Sequence, residues 1–518
     1  MRFDRAAALE RLAGETFDVL VVGGGITGAG VALDAASRGL RTALVERDDF
    51  GSGTSSQSSK LVHGGLRYLS QGDYRLVAQA LAERQRLLRN APHLVRPLPF
   101  LVPAYGSRAR MRAVSSALWL YDLAGGFRIG TLHRRLSARE ALDRAPALRA
   151  DGLVGAHLYM DAQADDARLT LAVARTAVLD HGAVAANHAA VTGLHSGGDG
   201  RVAGATVEAD GRAFGVRATV VVSAAGVWAD ELRGDGVRSI RPAKGVHITL
   251  PAELIPTKVA LVLTVASDGR SVFVVPWPGA DRVYVGTTDN DYDGPLDRPA
   301  CTADDVAYLL DALNAALSTA VGPADVVGSW AGLRPLLAGT ASQRSADLSR
   351  RHRVDRSTSG VVTVSGGKLT TYRAMAEDTV DAVQDALGGR RAKCRTATLP
   401  LHGAGNGNGA GGGGDHLTGR HGTDARVVAA IVAAQPSLAE ALVPALPYVR
   451  AEAVYAARCE MARSVGDVLA RRTRSLILDR DASVAAAPGV AELIAPELGW
   501  TADDAAADVA RYCALARA

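Results

Sequence analysis

A chain of 518 residues, 48% apolar and 22% charged, has the composition of a folded globular protein with room for about three domains and large buried cores. A formal net charge of +4 is too small over this length to mark a nucleic-acid-binding surface, so no nucleic-acid partner is expected. The four cysteines, Cys301, Cys394, Cys459 and Cys513, stand far apart with no CxxC pair, which argues against a disulfide framework and a metal site and for a reducing compartment.

The first fifteen residues carry Arg2, Asp4, Arg5, Glu10 and Arg11 and lack an apolar core, so they do not read as a signal peptide. Phe17–Val22 then reads as a buried strand running into Gly23-Gly24-Gly25, Ala29–Arg38 as a helix and Thr42–Glu46 as a second strand, together one βαβ unit. The stretch Val19–Leu33 is too short and glycine-broken to span a bilayer, which needs ~20 apolar residues. Tyr74–Asn90 has helical spacing, and Asp165 is placed to cap a helix from Asp166 to about His181. Val216–Ala225 and Gly360–Ser365 are further apolar runs with glycines just after them. Short strand-like segments crowd 245–290 (Val246–Leu250, Ser271–Val275, Asp281–Thr287), followed by a helix over Ala303–Ala320, which predicts an antiparallel sheet with helices. Residues 403–414 read as a glycine-rich linker, and 415–518 as a separate all-helical domain.

Gly23-x-Gly25-x-x-Gly28 lies between the first strand and helix, and Glu46 ends the next strand 18 residues after Gly28. In this setting the glycines allow a tight turn and a close approach of backbone to a pyrophosphate at a helix N-terminus, while the carboxylate accepts a hydrogen bond from a ribose. The fingerprint alone does not separate FAD from NAD. Two later turns favour FAD, a dinucleotide long enough to span several strand ends: Gly226 after the Val216–Ala225 run, and Gly366-Gly367 before a helix from about Thr370. The loop Gly51–Gly65 is rich in Ser and Thr, and Ser58, Ser59 and Gly64 are further cofactor contacts it offers. Cations recur beside glycines at Lys244, Arg334 and Lys368, in a chain with only five lysines; a phosphate dianion needs two or three such donors from different loops.

The segments TSSQSSKLVHGGLRYL (54–69), KGVHITLP (244–251), VGTTDNDYDG (285–294), AGLRPL (331–336) and GGKLTTYR (366–373), with DVLVVGGGITGAGVALDAASRGL (18–40), resemble the FAD-dependent, respiratory glycerol-3-phosphate dehydrogenases. The resemblance covers about residues 17–395 and continues more weakly to the C-terminus. It implies an α/β fold: a glutathione-reductase-like FAD domain (about 17–95, 150–235 and 355–395), an inserted antiparallel-sheet substrate domain (about 96–149 and 236–354) and the helical C-terminal domain. The implied reaction is oxidation of sn-glycerol 3-phosphate to dihydroxyacetone phosphate with electrons passed to a membrane quinone; an oxygen-using oxidase on the same fold is the alternative. A cytoplasmic protein held peripherally on the inner face of the plasma membrane is implied, with a homo-oligomer allowed. By position, Arg67, Tyr68, Arg334, Arg350, Lys368 and Thr370 line the substrate pocket, and Lys368 also touches the cofactor. For the base that takes the hydroxyl proton the candidates are His247, preferred, and His63. The membrane contact is expected in Arg108–Arg128, where Arg108, Arg110 and Arg112 precede Leu118-Trp119-Leu120-Tyr121, with the arginines of 458–474 as the competing surface.

Overall fold

Val19–Val22, apolar at each position, forms the buried end of a strand (Thr16–Val22) that pairs in parallel with Thr42–Val45 on one side and Arg212–Ser223 on the other. Such a run is what a parallel strand covered on both faces requires. The computed structural model describes residues 3–70, 72–233, 238–265, 267–338, 351–405 and 416–517. Val184–Ala186 and Val362–Gly366 extend the parallel array at its two sides, and Ala190–Ser196, Val202–Ala209 and His352–Arg356 add antiparallel strands, making eight in all. Helices Ile26–Ser37, Asp166–Leu179 and Tyr372–Leu387 share a core with this sheet. Asp165 caps the second of these, its carboxylate accepting from the Arg168 amide at 3.3 Å.

The second sheet has ten strands, including Val95–Tyr105, Leu153–Ala164, Ile240–Pro251, Ser271–Pro276, Arg282–Gly286 and Gly328–Leu337. It is antiparallel except where Ala260–Thr264 runs parallel to Val95–Tyr105. Its boundaries differ from those expected. Leu61–Val62 and Leu153–Ala164 belong to it, because the long strand 153–164 pairs along the whole of 95–105 before Asp165 turns the chain back into a helix of the first sheet.

The last hundred residues are helical, as expected; Val428, Ile431, Ala451 and Tyr455 form a core cluster of their own, and other residues pack on the second sheet. Val443, Tyr448, Ile477 and Ile494 are buried in one cluster with Phe100, Trp277, Tyr284 and Trp330 of the second sheet. Buried ion pairs fasten the C-terminal region to the first sheet's elements as well: Arg472 to Asp49 at 2.6 Å, Arg168 to Glu460 at 2.7 Å and Arg474 to Asp166 at 3.2 Å. The arginines at 472 and 474 are therefore inside the molecule, which removes them from a membrane surface. Asp49, His188 and Asp467 converge in the way a metal site would, yet Arg471 and Arg472 already occupy those carboxylates. The start of the expected linker is pinned, since the Gly403 carbonyl accepts from the Thr423 amide at 3.0 Å; its residues from 406 on lie outside the described part.

Candidate active site

The carboxyl ends of strands 42–45, 16–22, 212–223 and 362–366 lie side by side, and a cleft of about 420 Å³ crosses them. This is where an open parallel sheet presents a ligand site. Gly23, Gly25, Glu46, Gly226, Gly367 and Lys368, all expected at the cofactor, line it. Gly23 has φ +107° and its carbonyl lies so near the helix that a Cβ on Gly28 would overlap it. A Cβ on Gly23 would come within 2.7 Å of the Ala224 carbonyl oxygen. Gly25 is the N-cap of helix Ile26–Ser37; it has no side-chain partner at the cap, and the next amide, of Ile26, donates to Ser55 Oγ at 2.8 Å. The helix start thus faces the cleft with no side chain of its own at the cap, and with Ser55 beside its first amide, the arrangement that accepts a pyrophosphate.

Glu46 is buried at the adjoining end. Its Oε2 accepts from the Gly24 amide at 2.6 Å and its Oε1 from the Asp48 amide at 2.9 Å. Burial raises its carboxyl above the ordinary range, opposed by these two amides. Arg47 lies 4.4 Å over the Trp228 ring, and Trp228 closes that part of the cleft.

The serine-rich loop is bound inward. Ser58 donates from both its amide and its hydroxyl to Asp166 Oδ2, at 3.0 and 2.7 Å. Ser59 Oγ is 2.9 Å from His247 Nε2. The Gly64 amide donates to the Tyr121 hydroxyl at 2.9 Å, which donates to Asp161 at 2.7 Å, and a Cβ on Gly64 would meet Leu81 and that hydroxyl at 2.6 Å. Ser58, Ser59 and Gly64 shape the loop from behind, while Ser52–Ser55 face the cleft.

Beside the Lys368 end, Lys368 Nζ lies 3.7 Å from the Tyr68 ring, and the His63 amide donates to Thr370 Oγ1 at 3.2 Å. Arg334 precedes Pro335, which lines the cleft. Its guanidinium reaches Asp289 at 3.1 Å and Thr287 Oγ1 at 3.2 Å, and a Cβ on Gly245 would overlap it, so the glycine of Lys244-Gly245 makes room for the arginine. Lys244 itself pairs with Asp305 at 2.6 Å. Arg67 begins the short helix Arg67–Ser70, and Arg350 lies outside the described residues.

The two histidines differ. His247 stacks on Trp330 at 4.7 Å and 5°, is 2% exposed, and is held at Nε2 by Ser59. Burial, with Lys60 and Arg334 nearby, keeps it well below the ordinary histidine range. His63 is only partly buried. Burial, with Lys368 and Arg84, brings it down to about 4, opposed by Asp161. Sequence reasoning missed the partners that set these positions: Trp330, Asp161 with Arg84 at 2.5 Å, and Asp289. It also missed Asp166, on which Ser58, Lys60 and Arg474 converge. Burial, with Arg474 beside it, lowers Lys60 to about 7, against the pull of Asp166.

Residues 18–382 match the family described as FAD dependent oxidoreductase, and residues 394–505 match the C-terminal domain of alpha-glycerophosphate oxidase. The chain is 42% identical to glycerol-3-phosphate dehydrogenase 2 of Mycobacterium tuberculosis, over 99% of this chain and 90% of that protein. It is 40% identical to the probable mitochondrial glycerol-3-phosphate dehydrogenase of Caenorhabditis elegans, over 94% and 71%. The crystal structure of the glycerol-3-phosphate dehydrogenase from Bacillus halodurans, complexed with FAD, superposes with a TM-score of 0.80 at 30% identity, covering 99% of this chain and 97% of that one. The glycine cradle, the open helix start and the Glu46 carboxylate along one cleft fit that dinucleotide, so FAD is the cofactor this chain is built to hold.

Proposed function

Since the chain belongs to the FAD-dependent glycerol-3-phosphate dehydrogenase family, we propose that it oxidises sn-glycerol 3-phosphate to dihydroxyacetone phosphate and delivers the electrons to a membrane quinone. The observation that carries the substrate is that Lys368, which lines the cofactor cleft, lies against the Tyr68 ring, while Arg334 directly precedes Pro335 of the cleft wall. The bound flavin supplies the hydride acceptor and the route for the electrons onward. Lys368, just after strand Val362–Gly366, and Arg334, in strand Gly328–Leu337, hold the phosphate, with Arg67 and Arg350 as the further donors that the resemblance implies. Asp289 and Thr287 fix the Arg334 guanidinium before substrate arrives, which lowers the ordering cost at binding.

The base must be neutral and must reach solvent or substrate. Both histidines are held neutral, but the His247 ring is stacked, enclosed and bonded to Ser59, whereas His63 is partly open beside Thr370. On this ground we assign the hydroxyl proton to His63, against the sequence preference for His247, and give His247 the role of positioning the loop through Ser59. His63→Ala is expected to slow anaerobic flavin reduction ~10²- to 10⁴-fold. In the wild type the acid limb of that rate should have its midpoint near the lowered value of about 4, because protonation below it removes the base. The same loss and shift in His247→Ala instead would restore His247 as the base.

The quinone acceptor draws support from an exposed apolar strip. Among the described residues no helix is long and apolar enough to cross a membrane. Helix Arg108–Leu123 and the loop after it leave Trp119, Leu120, Leu123, Phe127 and Leu132 exposed, with Leu123 at 75%. Arg112, Arg128, Arg134 and Arg135 are exposed around them. An apolar strip bordered by arginines suits an anionic headgroup boundary on the cytoplasmic side of a bilayer, each cation adding ~1 kcal/mol. Replacing Trp119, Leu123 and Phe127 by Ser should abolish co-sedimentation with anionic liposomes and leave flavin content and turnover with a soluble quinone analogue intact; undiminished sedimentation would move the contact elsewhere. Flavin reduced by glycerol 3-phosphate should reoxidise fast with the quinone analogue and slowly with oxygen, and equal rates would favour the oxidase.

A further inference from the structure

A second cavity, of about 220 Å³, shares no lining residue with the cofactor cleft. It lies where the ends of strands 95–105 and 153–164, the turn Trp277-Pro278-Gly279 and the C-terminal segments around Arg420 and Tyr448 meet. Four cations line it, Lys60, Arg96, Arg168 and Arg420, against a single carboxylate, Asp165. Three of the four are paired: Lys60 with Asp166 at 3.3 Å, Arg168 with Glu460 at 2.7 Å, and Arg420 with Asp165 at 3.3 Å. Arg96 is different. Its guanidinium donates to the Gly419 carbonyl at 3.0 Å and meets no carboxylate at ion-pair distance among the described residues. It is half-buried, and burial together with Arg420 pushes its proton affinity below the ordinary arginine range. A cation in that position, facing other cations across a cavity, is relieved by an anion between them.

The remaining wall sets aromatic rings beside the polar side chains of His93, Gln163 and His416. Trp277, Tyr284 and Tyr448 line it, with Pro278 and Pro447. Arg420 stacks at 4.9 Å on Tyr448, so one guanidinium is oriented by an aromatic ring at the edge of the space it would share with a ligand. Buried walls of this kind hold a ring, and a small inorganic ion would leave them against water. We infer that this cavity is a second anion site, separate from the catalytic one, that takes a small organic phosphate or carboxylate bearing an aromatic ring, with Arg96 as its principal charge partner.

The cavity also reaches the catalytic loop. Lys60 Nζ lies 4.3 Å from the Trp330 ring on which His247 stacks, and Ser58 and Ser59, next to it in the chain, hold Asp166 and His247. An occupant therefore sits against the back of the loop whose front faces the cofactor.

The probe is phenyl phosphate, titrated by calorimetry into FAD-loaded enzyme, with inorganic phosphate as the ringless comparison. An Arg334→Ala background weakens the catalytic phosphate contact, so the two sites are told apart. Phenyl phosphate should bind Arg334→Ala as well as it binds the second site of the wild type. Adding Arg96→Gln should weaken it about 10- to 100-fold, with flavin content and melting temperature unchanged. Should Arg96→Gln fail to fold, Arg96→Lys keeps the charge, loses the planar fork, and should give a smaller loss in the same direction. No binding to Arg334→Ala, or unchanged affinity on substituting Arg96, would overturn the site. Equal affinity for inorganic phosphate would overturn its aromatic selectivity.

Discussion

Gly25→Val is expected to yield a folded but colourless protein. Gly25 lies at the N-cap of helix Ile26–Ser37 with φ −72°, a conformation any residue adopts, so the backbone imposes no penalty on the substitution. A Cβ there meets Ser55 Oγ at 3.0 Å and otherwise points into the cofactor cleft. Valine methyls would fill the space against the first helical amides, where the pyrophosphate needs close approach of the backbone. The measurement is the ratio of flavin to protein absorbance after purification, with circular dichroism for the fold. Gly14→Ala, at a position where a Cβ meets nothing within 4 Å, is the control and should keep its flavin. A fully yellow Gly25→Val protein would place the dinucleotide elsewhere. Gly28 would be a poorer choice, because a Cβ there overlaps the Gly23 carbonyl and would break the turn itself.

Arg334→Ala is expected to lower kcat/KM for glycerol 3-phosphate ~30- to 1000-fold, equivalent to ~2–4 kcal/mol of transition-state binding. The side chain is about a quarter exposed, already held by Asp289 and Thr287, and next to a residue of the cleft wall. Its removal takes away a charge that is oriented before substrate binds. The comparison that decides its role is glycerol, which has the reacting alcohol and no phosphate. If Arg334 reads phosphate, the loss with glycerol should be much smaller. Equal losses with both would mean that the arginine serves the alcohol or the loop. Lys368→Ala should follow the same pattern, with an added fall in flavin content because Lys368 also lines the cofactor cleft.

The C-terminal region shows how far composition carries. Its helices were evident from alanine-rich periodicity, but how closely part of it packs on the second sheet was not. Arg472 and Arg474 look, along the chain, like a solvated or membrane-facing basic stretch. In the structure they are buried against Asp49 and Asp166, more than three hundred residues away in sequence. Nothing local to Arg472 distinguishes a buried ion-paired arginine from an exposed one.

What the amino-acid sequence by itself determined is the cofactor half of the protein. The strand, the three glycines, the helix and Glu46 lie within about thirty residues, and the chemistry of a tight turn beside a pyrophosphate is contained in that local segment. The cations proposed for the substrate, Arg334 and Lys368, were also evident, because each stands in a short glycine-flanked context. Tertiary structure alone decided what surrounds them. Ser59 meets His247 across 188 residues, and that contact, with the Trp330 stack, encloses the histidine that sequence preferred and leaves His63 as the open one. It likewise set Arg96, among the described residues, without a carboxylate at ion-pair distance in a cavity whose other cations are paired. The physical reason is the same in each case: a side chain's burial, its neighbours and hence its proton affinity are properties of distant strands brought into register, and no pattern of nearby residues encodes them.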